Sequence, residues 1–127
     1  MSLSNLLTFI NTTWTNDISI SNYPLYAYEA PDDNCHIIVT YSNVLNNQWN
    51  TFCNDGDNYT LQINIFCIEE QFTSAISLRD KIKLAYNRKT SSTYGILMTD
   101  SYSGNIIKDI DNKGWHIIIN LELMIQN

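Results

Sequence analysis

The segment Trp115-His-Ile-Ile-Ile-Asn-Leu-Glu-Leu-Met-Ile125 decides the fold of this chain. Its odd-numbered positions are all apolar: Trp115, Ile117, Ile119, Leu121, Leu123 and Ile125. The residues between them are mixed: His116, Ile118, Asn120, Glu122 and Met124. Successive side chains of a strand point to opposite faces, so this alternation predicts a long β-strand with one face in the core.

Other segments have the composition of strands. Residues 59–68 set Leu61, Ile63, Ile65 and Cys67 against Thr60, Gln62, Asn64 and Phe66, which predicts one core face and one mostly polar face. His36–Tyr41 is rich in β-branched residues and predicts a short strand. Residues 94–99 are expected to form a strand and residues 105–110 a short extended piece, with a turn at residues 101–104. A second turn is expected at residues 111–114, with Gly114 in the left-handed conformation that a hairpin needs.

Two segments repeat apolar residues at helical spacing. The first stripe is Leu3, Leu6, Leu7, Ile10 and Trp14, with Ser2 or Ser4 as the N-cap. The second stripe is Phe72, Ala75, Leu78, Ile82 and Ala85, preceded by Glu69 and Glu70 near the positive end of the helix dipole. Together these patterns predict a single α+β domain over residues 1–127, an antiparallel sheet packed with an N-terminal and a central α-helix.

Residues 42–58 are polar, rich in Asn, and contain Trp49 and Phe52. They are compatible with a short strand flanked by loops or with one long loop that displays the two aromatic side chains. A long loop in a domain of this size is more often functional or flexible than idle.

The chain of 127 residues has a formal net charge of −6, and only 16% of its residues are charged. An acidic chain makes few phosphate contacts, so specific nucleic-acid binding is not expected. Three cysteines, Cys35, Cys53 and Cys67, give an odd number without paired spacing, which argues against a disulfide framework. The sequence shows no signal-peptide pattern and no apolar run long enough to span a membrane, so no membrane partner is expected.

The cysteine, histidine, serine and acidic residues do not form a known catalytic or metal-binding pattern. The cysteines and the histidines, His36 and His116, lack the spacing of zinc ligands. Residues 100–104 contain serines beside an acid but lack the elbow motif of a serine nucleophile. We therefore expect no enzyme activity, no metal and no cofactor.

Most basic residues are concentrated in one segment, which holds Arg79, Lys81, Lys83, Arg88 and Lys89. A nucleic-acid patch would need interleaved aromatic residues and a net basic face, and Asp80 interrupts the run, so this interpretation is disfavoured. Two interpretations remain: an ordinary solvated helix face, or one half of a charge-complementary contact between subunits.

The order of these elements resembles the tail-terminator and neck proteins of long-tailed bacteriophages. The resemblance covers most of the chain and rests on element order and apolar pattern. The segments that carry it are Tyr23-Pro24 before the first strand, Leu61–Cys67, Ala75-x-x-Leu78-Arg-Asp-Lys-Ile82, residues 95–98 and 107–110, and Trp115–Ile125.

The resemblance implies a structural virion protein, assembled in the host cytoplasm, that forms a homo-hexameric ring in the tail or neck. The ring would cap the tail tube and join it to the head-completion or connector protein, with DNA passing unbound through an acidic channel. Arg79, Lys83, Arg88 and Lys89 are the expected subunit interface, and Trp49 and Phe52 the expected docking loop. The alternatives are a minor tail or baseplate adaptor, or a small cytosolic ligand-binding domain or enzyme.

Overall fold

Two helices and five strands make up the part of the chain that the computed structural model describes, residues 2–27, 37–50, 55–109 and 114–126. In chain order they are α1 (Ser2–Asn16), β1 (Leu25–Ala27), β2 (Ile38–Asn50), β3 (Asp55–Ile68), α2 (Phe72–Tyr86), β4 (Ile96–Asp109) and β5 (Gly114–Gln126). One 3-10 turn, Glu69–Gln71, leads into α2. The α+β class with an N-terminal and a central helix is confirmed.

The five strands form one sheet in the order β1-β2-β3-β5-β4. The pairs β2–β3, β3–β5 and β4–β5 are antiparallel, whereas β1 pairs parallel to β2, so the sheet is mixed. Because β5 lies between β3 and β4, the connection from β3 to β4 has to pass over β5. That connection contains α2, which therefore packs on one face of the sheet.

Residues 42–50, which the sequence left as loop or strand, belong to β2. They pair with β3 from Leu45 opposite Thr60 to Asn50 opposite Asp55, after a bulge between Ser42 and Leu45. The long-loop interpretation is therefore wrong for this stretch. Backbone hydrogen bonds to β3 make it a strand although its own sequence lacks apolar alternation.

The turn expected at residues 101–104 is also wrong, since β4 runs continuously through it. Ser101, Tyr102 and Ser103 pair with residues of β5, and the irregularity is a bulge between Ser103 and Ile106. A bulge accommodates the extra residues without ending the strand.

Gly114 does not adopt the expected left-handed turn position. It begins β5 and pairs with Ile68 and Asp109. Among the described glycines, positive φ occurs at Gly95, at 72°, in the turn before β4.

The core lies between the sheet and the two helices. It contains Leu61, Ile63, Ile65 and the odd-numbered apolar residues of β5 from Ile117, all buried as their alternation predicted. The Tyr86 hydroxyl of α2 donates a hydrogen bond to the Ile10 carbonyl of α1 at 2.7 Å, and burial raises the pKa of Tyr86 well above its ordinary value. This buried bond fixes the two helices against each other on one face of the sheet.

The opposite face of the sheet, called here the open face, is covered by neither α1 nor α2. Large apolar side chains on it remain 39–51% exposed: Phe66, Ile68, Met98, Tyr102 and Ile107. The molecule therefore has a helix-covered side and an open side, and the two carry different charges.

Candidate interaction surfaces

Two of the predicted interface cations, Arg79 and Lys83, lie one turn apart on α2. The Arg79 guanidinium forms a 3.3 Å salt bridge with neighbouring Asp80. The Lys83 ammonium donates to the Ser103 hydroxyl of β4 at 2.8 Å, and the Ser101 hydroxyl donates to the Lys83 carbonyl at 2.9 Å. Both side chains are thus tied to their own chain, and Lys83 also fastens α2 to the edge strand.

The other two predicted interface residues follow the C-terminus of α2 and are exposed. The Arg88 backbone has a φ of 59°, and its N–H donates to the Thr99 carbonyl at 2.7 Å. Lys89 lies beside the end of α1, in a shallow depression that it shares with Asp17 and Ile18. The structure therefore keeps all four cations on the helix-covered side but divides them between the β4 flank and the α1 flank.

Trp49 was expected on a docking loop, but its backbone lies in β2, opposite Gly56 of β3. Phe52 lies outside the described residues. The expected loop is thus a strand at Trp49, near the end of the β2–β3 hairpin.

One end of the open face is apolar. Ile38, Phe66, His116 and Ile107 lie directly opposite one another across β2, β3, β5 and β4. The Phe66 and His116 rings stack with centroids 4.4 Å apart. Burial lowers the pKa of His116 below its ordinary value, which favours the neutral ring in this row.

A hydrogen-bond network crosses the middle of the open face, with Asn64 at its centre. The Asn64 side-chain oxygen accepts from Gln62 Nε2 at 2.6 Å and from His116 Nε2 at 2.8 Å. Its amide nitrogen donates to the Ser42 hydroxyl at 2.8 Å. Asn64 is only 4% exposed, so its satisfied amide joins three strands and fixes the His116 tautomer with the proton on Nε2.

The other end of the open face carries an acidic depression of about 270 Å³. Its open-face lining is Asn58, Thr60, Met98, Asp100, Glu122 and Met124. Met98 lies opposite Met124, and Asp100 opposite Glu122, across the β4–β5 pair. The two carboxylates raise the pKa of nearby Tyr102, Asp100 more than Glu122.

Like charges directly opposite on neighbouring strands destabilise a sheet. The described open-face residues include no Lys or Arg that would offset Asp100 and Glu122. We therefore expect the acidic pair to lower the stability of the free chain, and a cationic partner would offset the two charges.

Within the described residues, the remaining side chains that could act in catalysis or bind a metal form no site. Cys67 is buried, and burial raises the pKa of its thiol; Cys35, Cys53 and His36 lie outside the described residues. Within the described ranges, no three His, Cys, Asp or Glu side chains converge on a metal-sized position. The helices in those ranges are too short or too polar to cross a membrane.

Two features were not predicted from the sequence. One is the acidic depression, and the other is the most exposed apolar residue of α2, Leu84, which is 78% exposed. The helical pattern did contain a signal for Leu84, because it falls outside the apolar stripe of α2. The depression had no such signal, because Met98 and Asp100 lie more than twenty residues before Glu122 and Met124 in the sequence.

No protein-family model and no curated protein matches this chain. The fold does have a counterpart among solved structures. A chain from the virion of a native gene transfer agent (GTA) particle superposes with a TM-score of 0.77 at 10% sequence identity. The match covers 93% of this chain and 92% of that chain. At this identity, the likeness establishes a shared fold along nearly the whole length of both chains.

Proposed function

We propose that this protein is a structural subunit of a phage-like virion, a tail-terminator or neck protein that works as a ring and has no catalytic role. The observation that carries the proposal is the end-to-end fold likeness to a chain of a gene transfer agent virion. Because that likeness spans more than nine-tenths of both chains, it supports a tail-terminator-like domain that occupies residues 1–127.

The distribution of charge supports assembly into a ring. Five basic residues lie on or just after α2, on the helix-covered side, while Asp100 and Glu122 lie on the open side. A ring requires a heterologous contact, in which one surface of a subunit meets a different surface of the next. Opposite charges on opposite sides of the subunit suit such a contact.

In this proposal six copies form the ring, with Arg79, Lys83, Arg88 and Lys89 on the basic side of each contact. The ring joins the tail tube protein to the head-completion or connector protein, with Trp49 and Phe52 as docking residues. DNA passes through without specific binding, because a chain of net charge −6 repels the phosphate backbone. The protein then resides in the tail or neck of the virion.

Light scattering of the purified protein, over a range of protein and salt concentrations, tests this proposal. We expect growth from the 14.7 kDa chain towards a six-fold ring, and loss of the ring at high salt. Lys89→Gln is expected to weaken assembly, whereas Lys108→Gln, which neutralises a lysine beside Glu69 at the far end of β4, is expected to leave it intact. A monomer under all conditions, or equal effects of the two substitutions, would contradict the proposal.

A further inference from the structure

We propose that the acidic depression on the open face receives α2 of a second copy of this chain, with Leu84 as the apolar contact and Lys81 as the cation. The inference rests on the proposed function of a self-assembling subunit, and it names both surfaces of the contact. It adds Leu84, Lys81, Asp100, Glu122 and the two methionines to the interface predicted from the sequence.

The receiving surface combines an apolar and an acidic half. Met98 is 51% exposed and lies opposite half-buried Met124, while Asp100 and Glu122 form the neighbouring cross-strand pair. Methionine side chains are flexible and polarisable, so they adapt to an apolar side chain inserted between them. The depression thus fits a partner that presents one apolar side chain next to a positive charge.

The second copy offers that combination on the exposed side of α2. Leu84 is 78% exposed, and Lys81 precedes it by three residues, which places both on one helix face. Lys81 is exposed and forms no ion pair with any described residue. Asp80 lies one turn before Leu84, but its charge is offset by the salt bridge to Arg79.

Charge complementarity and the exposure of Leu84 both favour a second copy of this chain over an unrelated protein as the partner. In the free chain Leu84 stays in contact with water and the two carboxylates face each other across the strand pair; one contact buries the leucine and neutralises the carboxylates. Docking places Leu84 between the methionines and Lys81 beside the carboxylates, replacing their mutual repulsion by attraction. The two surfaces lie on opposite sides of one subunit, so the contact is necessarily between copies and runs head to tail.

Two variants that each remove one surface test the contact by mixing. Lys81→Gln/Leu84→Gln removes the α2 surface, and Glu122→Lys reverses a charge in the depression. Each variant alone is expected to bind its own kind at least about tenfold more weakly than the natural chain. Mixed together, they retain one good contact per pair and are expected to form a dimer of about 29 kDa, twice the 14.7 kDa chain, that grows no further.

NMR signals from the methionine methyl groups locate the contact, because two of the three methionines line the depression. The chain with Lys81→Gln/Leu84→Gln is labelled at its methionine methyls and titrated with unlabelled Glu122→Lys chain. We expect the Met98 and Met124 signals to shift. Glu70→Lys, which reverses a charge in the 3-10 turn before α2, is a matched control that should assemble like the natural chain.

The outcomes separate this inference from the proposed function. A natural chain that assembles, together with variants that assemble equally well or a mixture without a dimer, overturns the contact and leaves the ring proposal standing. Methionine signals that do not move in the mixture overturn it as well. A natural chain that stays monomeric at every concentration overturns both proposals.

Discussion

Glu122→Lys is expected to make the free chain more stable while it weakens association. Glu122 and Asp100 lie directly opposite on β5 and β4, where the β-carbons of such pairs are about 5 Å apart. Two carboxylates roughly 6 Å apart in water repel each other by about 0.7 kcal/mol. Replacing Glu122 by Lys removes this repulsion and adds a cross-strand ion pair.

The expected gain in the free energy of unfolding is therefore about 1 kcal/mol, after allowance for screening at an exposed site. Urea denaturation at low protein concentration measures it on the monomer. At low salt the unfolding midpoint should rise with an unchanged slope. At about 1 M salt, where the Debye length is about 3 Å, the gain should nearly vanish.

Two controls isolate the pair from the overall charge of the molecule. Glu70→Gln removes one negative charge from the 3-10 turn before α2, so it reports the benefit of reducing the net charge of −6 together with the loss of a favourable charge at the helix N-terminus. Glu122→Gln and Asp100→Asn each remove the same repulsion, so the double variant should gain less than the sum of the two. Additive gains, or a loss of stability in Glu122→Lys at low salt, would refute the reasoning.

Three further predictions concern the fold itself. Tyr86→Phe removes the buried hydroxyl that donates to Ile10 and should lower the free energy of unfolding by about 1 kcal/mol in urea denaturation; an unchanged midpoint would show that the bond contributes nothing. Burial lowers the pKa of His116 below 6.5, so the unfolded chain takes up the proton first and stability should fall as the pH drops through 6.5 towards the folded-state pKa. His116→Gln should lack that component of the pH dependence, and parallel curves for the two proteins would contradict it. Gly104→Ala would place its Cβ 2.8 Å from Ile118 Cγ2 and should cost about 1 kcal/mol or more in thermal unfolding, whereas an unchanged midpoint would mean that β4 shifts at no cost.

The sequence by itself determined which segments carry a core face. The alternation in residues 115–125 and 59–68 and the stripes of α1 and α2 are local patterns, and each fixes which side of its own element is apolar. Because burial of that side is the main driving force, β3, β5, α1 and α2 formed as their patterns predicted. The concentration of positive charge on α2 was equally local and equally readable.

Only the tertiary structure decided which elements are neighbours. Residues 42–50 became a strand because β3 supplies their hydrogen-bond partners, and residues 101–104 stayed in β4 because β5 does the same. Asn64 alternates with core residues, so its position predicts an exposed side chain, yet its partners on neighbouring strands bury it to 4% exposure.

The acidic depression shows the same limit at the candidate site. Met98 and Asp100 meet Met124 and Glu122 only because β5 inserts between β3 and β4 and pairs with β4 in one register. Periodicity along a strand specifies the face of each residue but not the residue opposite it, since the opposite residue depends on strand order and register. The sequence therefore determined the two-sided character of this protein, and the tertiary structure decided where its two candidate contact surfaces lie.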